Sequence, residues 1–309
     1  MANKILITGG AGFIPGCLAE RLSQDPENQL VLIDNLLTGR KNNVPEAANI
    51  RFIKADANDY MAMSAIMTSN HFDYVFHYAA VVGVQRTLNN PVMVLRDIDG
   101  IKNILELSKN TGVKRIFFSS SSEVYGEPVT IPQHEDTTPL NSKLPYAVVK
   151  NLGECFCRAY EQEFGLPFTI LRFFNTYGPK QSDDFVISKF LRAALCHQDI
   201  HIYGDGSQTR TFCYIQDNVD FTALILENNL CTNDVVNVGN DRQYTILELA
   251  ETIVRLTGSR SKIVHQPALK EGDMTRRQPD NAKMRSILNR ELCTLEEGLE
   301  KILHAWQKV

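Results

Sequence analysis

The sequence predicts an α/β fold built on a doubly wound, mainly parallel sheet with helices on both faces, followed by a smaller C-terminal α/β lobe. Two observations predict it. Through the first half of the chain, short apolar runs alternate with longer segments whose apolar residues recur at helical spacing. After Gly178 this alternation loosens into loops rich in Gly, Asp and Ser. Strand–helix alternation of this kind implies right-handed βαβ units and a mainly parallel sheet.

The elements of the first half follow in a regular order. Each predicted strand is a short apolar run that ends in polar or glycine-containing sequence. Strands are predicted at Lys4–Thr8, Leu30–Asp34, Ile50–Lys54, Asp73–His77, Lys114–Ser119 and Pro167–Phe174. Helices are predicted from the turn after the first strand to about Ser23, and at Tyr60–Ser69, Pro91–Thr111 and Ser142–Phe164.

The second half carries weaker signals. Helical spacing returns at Phe185–Cys196, Asn218–Glu227, Thr245–Thr257 and Leu295–Gln307. We therefore predict a first domain over residues 1–177, with residues 211–240 packing back on it. Residues 178–309 are predicted to form mainly a smaller second lobe.

Composition excludes several classes of function. The 309 residues contain 32 Lys and Arg against 36 Asp and Glu, a net charge of −4, whereas dedicated nucleic-acid binders are commonly basic. No apolar run approaches the ~18 residues that span a bilayer. The seven Cys form no CxxC pair, which favours a reduced, cytoplasmic chain. No third ligand completes the pair His197 and His201, so we predict no metal, nucleic acid or membrane partner.

The glycine-rich turn after the first strand predicts a dinucleotide site of the Rossmann type. Gly9 and Gly12 let the backbone approach a pyrophosphate, and Phe13 and Ile14 open the helix whose N–H groups would face it. Pro15 lacks an N–H, but proline is tolerated in the first turn of a helix, where that group has no intrahelical partner. We therefore expect dinucleotide binding in the first domain.

The end of the second predicted strand indicates which dinucleotide is bound. Asp34 stands where an acidic residue commonly hydrogen-bonds the adenosine ribose and disfavours a 2′-phosphate. Arg40 and Lys41 lie close by in sequence and suit a 2′-phosphate, which keeps NADP open as the alternative. NAD is the predicted cofactor.

Further motifs carry a resemblance to a known family. They are TGGAGFI at 8–14, Asp34-Asn35-Leu36, Asp56, Phe76-His77-Tyr78-Ala79-Ala80, Ser119–Gly126, Tyr146-Ala147-Val148-Val149-Lys150, Arg172-Phe173-Phe174-Asn175, Tyr177-Gly178-Pro179, Tyr203-Gly204-Asp205-Gly206 and Asn237-Val238-Gly239. In this order they resemble the extended short-chain dehydrogenases/reductases that modify nucleotide sugars. The resemblance runs nearly end to end and departs at Pro15, where the family usually has Gly. It implies further cofactor contacts from Asn35, Asp56, Ala57, Tyr78, Ala79, Ala80, Ser119, Tyr146 and Lys150.

The resemblance also implies a catalytic set. Tyr146 and Lys150 are four residues apart and therefore share one face of a helix. In the family, the Tyr accepts the proton of a sugar hydroxyl, while the Lys lowers the Tyr pKa and binds the nicotinamide ribose. Ser121 best matches the residue that hydrogen-bonds the same hydroxyl. A neighbouring ammonium favours the phenolate, which is the required base.

Glu123 is the residue that best discriminates between activities within the family. The segment Ser121-Ser122-Glu123 resembles that of UDP-glucuronate decarboxylases and GDP-mannose 4,6-dehydratases. Oxidation at C4 acidifies the C5 proton, which a carboxylate can remove so that C6 hydroxide leaves. If C6 is a carboxylate, the same ketone is an electron sink for loss of carbon dioxide. Ser122 and Glu123 would then relay or deliver protons at C5 and C6.

Positions in the second lobe match those that hold the substrate in the family. Arginine suits a diphosphate through its planar, bidentate guanidinium. Arg210 and Arg277 match the diphosphate positions, Asn175 a sugar or diphosphate contact, and Phe185 and Val186 the nucleobase region. A UDP-sugar is the common substrate for this pattern. The family also implies a homodimer through the helices Pro91–Thr111 and Ser142–Phe164.

Three alternatives remain open at this point. A UDP-sugar 4-epimerase of the UDP-glucose, UDP-N-acetylglucosamine or UDP-glucuronate type needs Ser121, Tyr146, Lys150 and a sugar free to rotate. A reductase of a 4-keto sugar would consume reduced cofactor. A catalytically silent dinucleotide sensor would need none of these three residues.

Overall fold

The computed structural model describes residues 3–267 and 276–307, with the side chains of Val84 and Gln85 outside that description. The chain divides into two compact units. Unit 1 comprises Met1–Val124, Leu140–Phe173 and Val219–Val236, and unit 2 comprises Tyr125–Pro139, Phe174–Asn218 and Asn237–Val309. None of the helices among the described residues has the length and apolar character that a membrane crossing needs.

Helices and strands alternate through unit 1, and the strands of unit 2 are short. The strands are β1 (Lys4–Thr8), β2 (Gln29–Asp34), β3 (Ile50–Lys54), β4 (Tyr74–His77), β5 (Arg115–Ser121), β6 (Phe168–Phe173), β7 (Thr176–Tyr177), β8 (Ile200–Tyr203), β9 (Thr209–Thr211), β10 (Cys213–Tyr214), β11 (Asp234–Val238), β12 (Gln243–Thr245) and β13 (Ile263–Gln266). The helices are α1 (Phe13–Leu22), α2 (Tyr60–Asn70), α3 (Val84–Asn89), α4 (Pro91–Leu95), α5 (Asp97–Thr111), α6 (Pro145–Phe164), α7 (Val186–Leu195), α8 (Ile215–Glu227), α9 (Ile246–Thr257), α10 (Ala282–Leu288) and α11 (Leu295–Gln307).

The main sheet is seven-stranded, in the order β11-β6-β5-β4-β1-β2-β3. Because β1 pairs in parallel with both β2 and β4, the strand order reverses beside β1. Such a switch point opens a crevice outside the carboxyl ends of the strands, which is where ligands bind in open α/β sheets. Thr8 and His77 are register partners at this edge. The predicted doubly wound parallel sheet with helices is confirmed.

The core of unit 1 explains why its strands read clearly from sequence. Ile5, Leu6 and Ile7 of β1 are completely buried, as are Phe76 of β4 and Phe117 of β5. The rings of Phe76 and Phe117 stack with centroids 4.3 Å apart. Strands buried on both faces carry near-continuous apolar runs, and such runs are the signal that the sequence offers.

The helix α6 begins later than the sequence predicted. Pro145 occupies its first turn, and Leu144 before it is extended, with φ −69° and ψ 134°. A residue before proline is driven out of the helical region, so Ser142–Leu144 cannot belong to the helix. Gly165, with φ 67°, ends the helix in the left-handed conformation.

Three other boundaries differ from the prediction. The predicted helix Pro91–Thr111 is interrupted at Arg96 into α4 and α5, and β11 adds a seventh strand to the predicted six. The segment Tyr125–Pro139, assigned from sequence to the first domain, groups with unit 2. Its backbone hydrogen bonds give the reason, because Gln133 N donates to Gln278 O and Asp280 N donates to Gln133 O, each at 2.8 Å.

Candidate active site

The glycine-rich turn has the geometry of a cradle that only glycine can form. Gly9 has a φ of 71°, and a Cβ there would lie 2.9 Å from the backbone N of Ala79. Gly12 N donates to Gly9 O at 2.8 Å and closes the turn, after which α1 begins at Phe13. No acidic side chain lies in the first turn of Phe13–Leu22, so its N–H groups carry no built-in anion. A phosphate group therefore fits these residues.

Pro15 is compatible with this turn. The first intrahelical hydrogen bond of α1 runs from Gly16 N to Gly12 O at 3.1 Å, one residue after the proline. Gly16 itself allows close packing, because a Cβ there would lie 2.5 Å from Asn43 O. Pro15 thus removes an N–H that the helix does not use, and the N–H groups of Phe13 and Ile14 remain.

Asp34 is bound into the same turn. Its carboxylate accepts hydrogen bonds from Ala11 N at 3.0 Å and from Leu36 N at 2.7 Å, and the side chain is buried. A Cβ on Gly39 would lie 2.7 Å from the same carboxylate. Asp34 therefore couples the end of β2 to the glycine-rich turn. Its negative charge, held at that place, is unfavourable for a 2′-phosphate.

Thr8 and His77 join the carboxyl ends of β1 and β4. Thr8 Oγ1 accepts from Tyr78 N at 3.1 Å and from Ala79 N at 3.0 Å, and it lies 2.9 Å from His77 Nδ1. With both backbone donors satisfied by that oxygen, the hydroxyl proton goes to His77 Nδ1. Burial, followed by the charge of Lys150, lowers the pKa of His77 to about 3, so the imidazole is neutral.

The loop after β3 holds two of the other predicted cofactor residues together. Asn35 Nδ2 donates to Asp56 Oδ2 at 2.9 Å, and Asn58 N donates to Asp56 Oδ1 at 2.9 Å. The carbonyl of Ala57 accepts from Asn103 Nδ2 of α5 at 3.0 Å. Asn58 and Asn103 were not selected from sequence, because an asparagine in a loop or helix carries no motif of its own.

Lys150 lies buried against the end of β5. Its Nζ donates to Ser119 Oγ at 3.2 Å and lies 5.8 Å from the centre of the Tyr146 ring. Burial lowers the pKa of Lys150 to about 8, while the nearby Asp97 acts in the opposite direction. An ammonium that is close to Tyr146 favours the phenolate over the phenol.

Ser121, Ser122 and Glu123 turn directly from β5 into one turn of 3₁₀ helix, Ser122–Tyr125. Ser121 Oγ accepts from Glu123 N at 3.2 Å, which fixes the start of the turn. Ser121 and Ser122 are buried, whereas Glu123 is half-buried. The hydroxyl expected to act at C4 and the carboxylate expected to act at C5 are thus two residues apart on one tight turn.

A buried ion pair supports the catalytic helix and was missed from sequence. Glu154 lies one turn beyond Lys150 on α6 and accepts from Ser120 Oγ at 2.6 Å. It also pairs with Arg172 of β6, whose Nη2 lies 2.7 Å from Glu154 Oε2. Glu154 is 0% exposed and Arg172 is 1% exposed. The four-residue spacing from Lys150 was the signal that could have found Glu154.

The residues predicted to hold the substrate all lie in unit 2. Arg210 in β9 and Arg277 are 9% and 7% exposed, so neither is an ordinary solvated arginine, whereas Arg276 is exposed. Asn175 has a φ of 36° and donates from Nδ2 to Thr211 O at 3.0 Å. Asparagine tolerates this left-handed conformation, and the hydrogen bond ties its side chain to β9.

The two remaining members of that set sit at the start of a helix. Phe185 is the residue before α7 and is 37% exposed, and Val186 is the first residue of α7. The cofactor and catalytic residues, by contrast, all belong to unit 1. Unit 1 therefore contains the complete predicted cofactor and catalytic set, and unit 2 contains the predicted substrate set.

Comparisons with known proteins agree with this geometry. Residues 5–239 match the model of the NAD dependent epimerase/dehydratase family. The chain is 36% identical over its full length to the UDP-N-acetyl-alpha-D-glucosaminuronate decarboxylase of Bacillus cytotoxicus, of which it covers 99%. It is 34% identical over 99% of its length to UDP-glucuronic acid decarboxylase 1 of Danio rerio, of which it covers 73%.

A solved structure extends the comparison to the fold. The crystal structure of a UDP-glucose 4-epimerase from Thermotoga maritima, determined with UDP-glucose, superposes with a TM-score of 0.92. The two chains are 31% identical, and the match covers 99% of each.

Proposed function

The chain belongs to the NAD-dependent epimerase/dehydratase family, and we propose that it decarboxylates a UDP-linked hexuronic acid through a transient ketone at C4 of the sugar. Bound NAD would supply reversible hydride transfer at C4, so the overall reaction has no net redox change. Two observations support the choice of substrate: the position of Glu123, and the decarboxylases among the chain's relatives.

Unit 1 has the residues that hold the cofactor. The turn Gly9–Gly12 and the first N–H groups of α1 fit the pyrophosphate, and Asp34 fits the adenosine ribose. A Cβ at Gly9 would collide with Ala79 in the neighbouring loop, so this turn requires glycine, which supports its assignment as the pyrophosphate turn. Lys150 is placed to hold the nicotinamide ribose.

Tyr146 and Ser121 act on the 4-hydroxyl of the sugar. Tyr146 takes the hydroxyl proton as C4 is oxidised, and the ammonium of Lys150 stabilises the phenolate that this requires. Ser121 accepts from Glu123 N but retains its own proton, which it donates to the oxygen at C4. When C4 is reduced again, Tyr146 returns the proton to that oxygen.

Glu123 carries the assignment to a reaction at C5 and C6. Once C4 is a ketone, the C5–C6 bond of a uronate breaks and its electron pair moves onto C5 and the C4 oxygen, releasing carbon dioxide. C5 then takes up one proton, which Glu123 delivers with Ser122 as a relay. Glu123 N donates to Ser121 Oγ, which keeps Glu123 beside the residue assigned to C4.

The experiment is a substrate panel with product mass as the readout. UDP-, GDP-, dTDP- and CDP-sugars and their uronates are each incubated with the enzyme and NAD. We expect a UDP-uronate to lose carbon dioxide. Glu123→Gln should abolish this loss, whereas Glu163→Gln, at an exposed position of α6, should not. Unchanged turnover of Glu123→Gln would end the assignment to C5 and C6, and loss of water would select a dehydratase.

The diphosphate and the base are held by unit 2 in this proposal. Arg210 and Arg277 bind the diphosphate, Asn175 contacts the sugar or diphosphate, and Phe185 and Val186 contact the base. The burial of both arginines supports this role, because charged side chains are seldom buried without partners and the planar guanidinium suits a phosphate.

A 4-epimerase is the second candidate. The structural match to a UDP-glucose 4-epimerase supports it, and Ser121, Tyr146 and Lys150 suffice for that reaction. In the panel it appears as an isomer of unchanged mass that forms from a neutral UDP-sugar or from a UDP-uronate.

The proposal includes a cytoplasmic homodimer. On α3, α4 and α6 the side chains of Leu88, Val92, Leu95 and Val148 are between 42% and 67% exposed. An apolar patch of this kind marks an interface, and α4 packs against α6. Sedimentation equilibrium should give twice the chain mass, and Val92→Glu should give the monomer. The seven free cysteines support a reducing compartment.

A further inference from the structure

The first two turns of α5 join the two loops that carry the predicted cofactor residues. Asp97 Oδ2 accepts from Val81 N at 2.7 Å, directly after the Tyr78-Ala79-Ala80 loop. Gly100 N donates to Asn58 Oδ1 at 2.8 Å, in the loop that follows β3. Asn103 Nδ2 donates to Asn58 O at 3.1 Å. Asp97, Gly100 and Asn103 are spaced by three and therefore share one face of the helix.

Gly100 permits this contact. A Cβ at that position would lie 2.7 Å from Asn58 Oδ1, so a larger residue would displace the Asn58 side chain from this contact. The first turn of α5 therefore contacts both loops, the loop after β3 through Asn58 and the loop after β4 through Asp97.

Asp97 also interacts with the catalytic lysine. The α5 helix packs against α6, and the charges of Asp97 and Lys150 act on each other. Burial raises the pKa of Asp97. The hydrogen bond from Val81 N and the charge of Lys150 act in the opposite direction and favour the ionised carboxylate. The nearby Asp56 opposes that ionisation.

The other titratable groups around Lys150 do not replace Asp97 as its counter-charge. His77 of β4 is neutral at all moderate pH, because burial lowers its pKa to about 3. Glu154, the next carboxylate on α6, is bound to Arg172. Tyr146 is the group that Lys150 itself is expected to activate. The carboxylate of Asp97 is thus the anion that offsets the burial of Lys150.

We propose that Asp97 is a positioning residue that keeps Lys150 charged and, with Asn58, holds the two cofactor loops in register with the catalytic helix. This assignment rests on the proposed role of Lys150 in binding the nicotinamide ribose. It makes α5 part of the working site, although no side chain of α5 is expected to touch the sugar.

The test measures NAD affinity against pH by calorimetry, with no sugar present. The enzyme carries Tyr146→Phe throughout, so that the phenol does not titrate. With Asp97 intact, affinity should fall as Lys150 loses its proton, near pH 8. Asp97→Asn keeps an oxygen that accepts from Val81 N but removes the charge. It should move this midpoint down by about one pH unit.

The matched control is Asp99→Asn, which removes an exposed carboxylate from the same first turn of α5. Its profile should coincide with that of the parent. If the Asp97→Asn profile also coincides with that of the parent enzyme, Asp97 does not keep Lys150 charged and that part of the proposal is wrong. A uniform loss of affinity with no displaced midpoint would assign Asp97 a structural role only.

Asn58→Ala tests the contact between α5 and the loop after β3, and it does so even if the Asp97 variant does not fold. Because it removes no charge, it should weaken NAD binding by about fivefold at every pH without moving the midpoint. If Asn58→Ala binds NAD as tightly as the parent enzyme, Asn58 does not hold the cofactor loops in register. The NAD-binding measurement uses no sugar. If the enzyme converts no nucleotide sugar in the substrate panel, the proposed function is refuted, but the NAD affinities can still be interpreted.

Discussion

The two units hold their candidate site residues on different kinds of structure. In unit 1 the catalytic residues lie at the end of β5 and on α6, where regular elements fix their spacing. In unit 2 Arg210 lies on the three-residue strand β9 and Arg277 outside any helix or strand. The chemistry assigned to unit 1 therefore depends on element geometry, and the anchoring assigned to unit 2 depends on contacts between distant segments.

The largest effect should come from the phenol of unit 1. Tyr146→Phe removes the proton acceptor but keeps the ring, so turnover should fall by about 10²- to 10⁴-fold. NAD affinity at pH 7 should stay close to that of the wild type, because Lys150 and the glycine-rich turn remain. Steady-state kinetics and calorimetry measure the two quantities. A variant with more than a tenth of wild-type turnover would remove Tyr146 from the mechanism.

The second effect concerns the stability of unit 1. Glu154→Gln leaves Arg172 buried without its anionic partner and should cost about 3–5 kcal/mol in the free energy of unfolding. Chemical denaturation of this variant and of Glu163→Gln gives the comparison. A loss below about 1 kcal/mol would show that the pair does not hold β6 to α6.

The pH dependence of the same variant sharpens this prediction. Burial would raise the pKa of Glu154, but the hydrogen bond and charge of Arg172 outweigh it and lower the pKa below 4.5. The stabilisation is therefore present above the unfolded-state pKa and is lost as the pH falls through the lowered value. The gap between wild type and Glu154→Gln should narrow in acid, and a gap that widens there would contradict the assignment.

Residues whose spacing is local could be predicted from the sequence, whereas residues that act through long-range contacts could not. Tyr146 with Lys150 and the turn after β1 could be predicted because their spacing is local, within one helix or one strand–turn–helix unit. Asp97, Asn58 and Glu154 have no motif, and contacts between distant segments create their roles. Strand β11 was missed because it gains its place by pairing with β6, some 60 residues earlier in the chain.

The third effect belongs to unit 2. Arg277→Ala should raise the KM for the UDP-sugar by about 10- to 100-fold, because a charge-assisted hydrogen bond to phosphate is lost. NAD affinity should not change. Arg276→Ala is the matched control, because Arg276 is the adjacent residue and its own side chain is exposed. Equal KM values for the two variants would remove Arg277 from the anchoring site.

The smallest effect should come from the proline in the turn of unit 1. Pro15→Ala restores an N–H that α1 does not use and gives the unfolded chain more freedom, at a cost of about 0.4–1 kcal/mol in stability. Affinity for NAD should stay within about twofold, because Phe13 and Ile14 keep their N–H groups. A tenfold gain in affinity would show that the third N–H matters to the phosphate.

Transient oxidation at C4 followed by loss of C6 leaves a distinct isotope pattern in the product. Unlabelled UDP-glucuronate is converted by the enzyme and unlabelled NAD in D₂O. We expect a UDP-pentose that lacks C6, keeps protium at C4 and gains one deuterium at C5. A product that retains its carboxylate, or that carries solvent deuterium at C4, would contradict this mechanism.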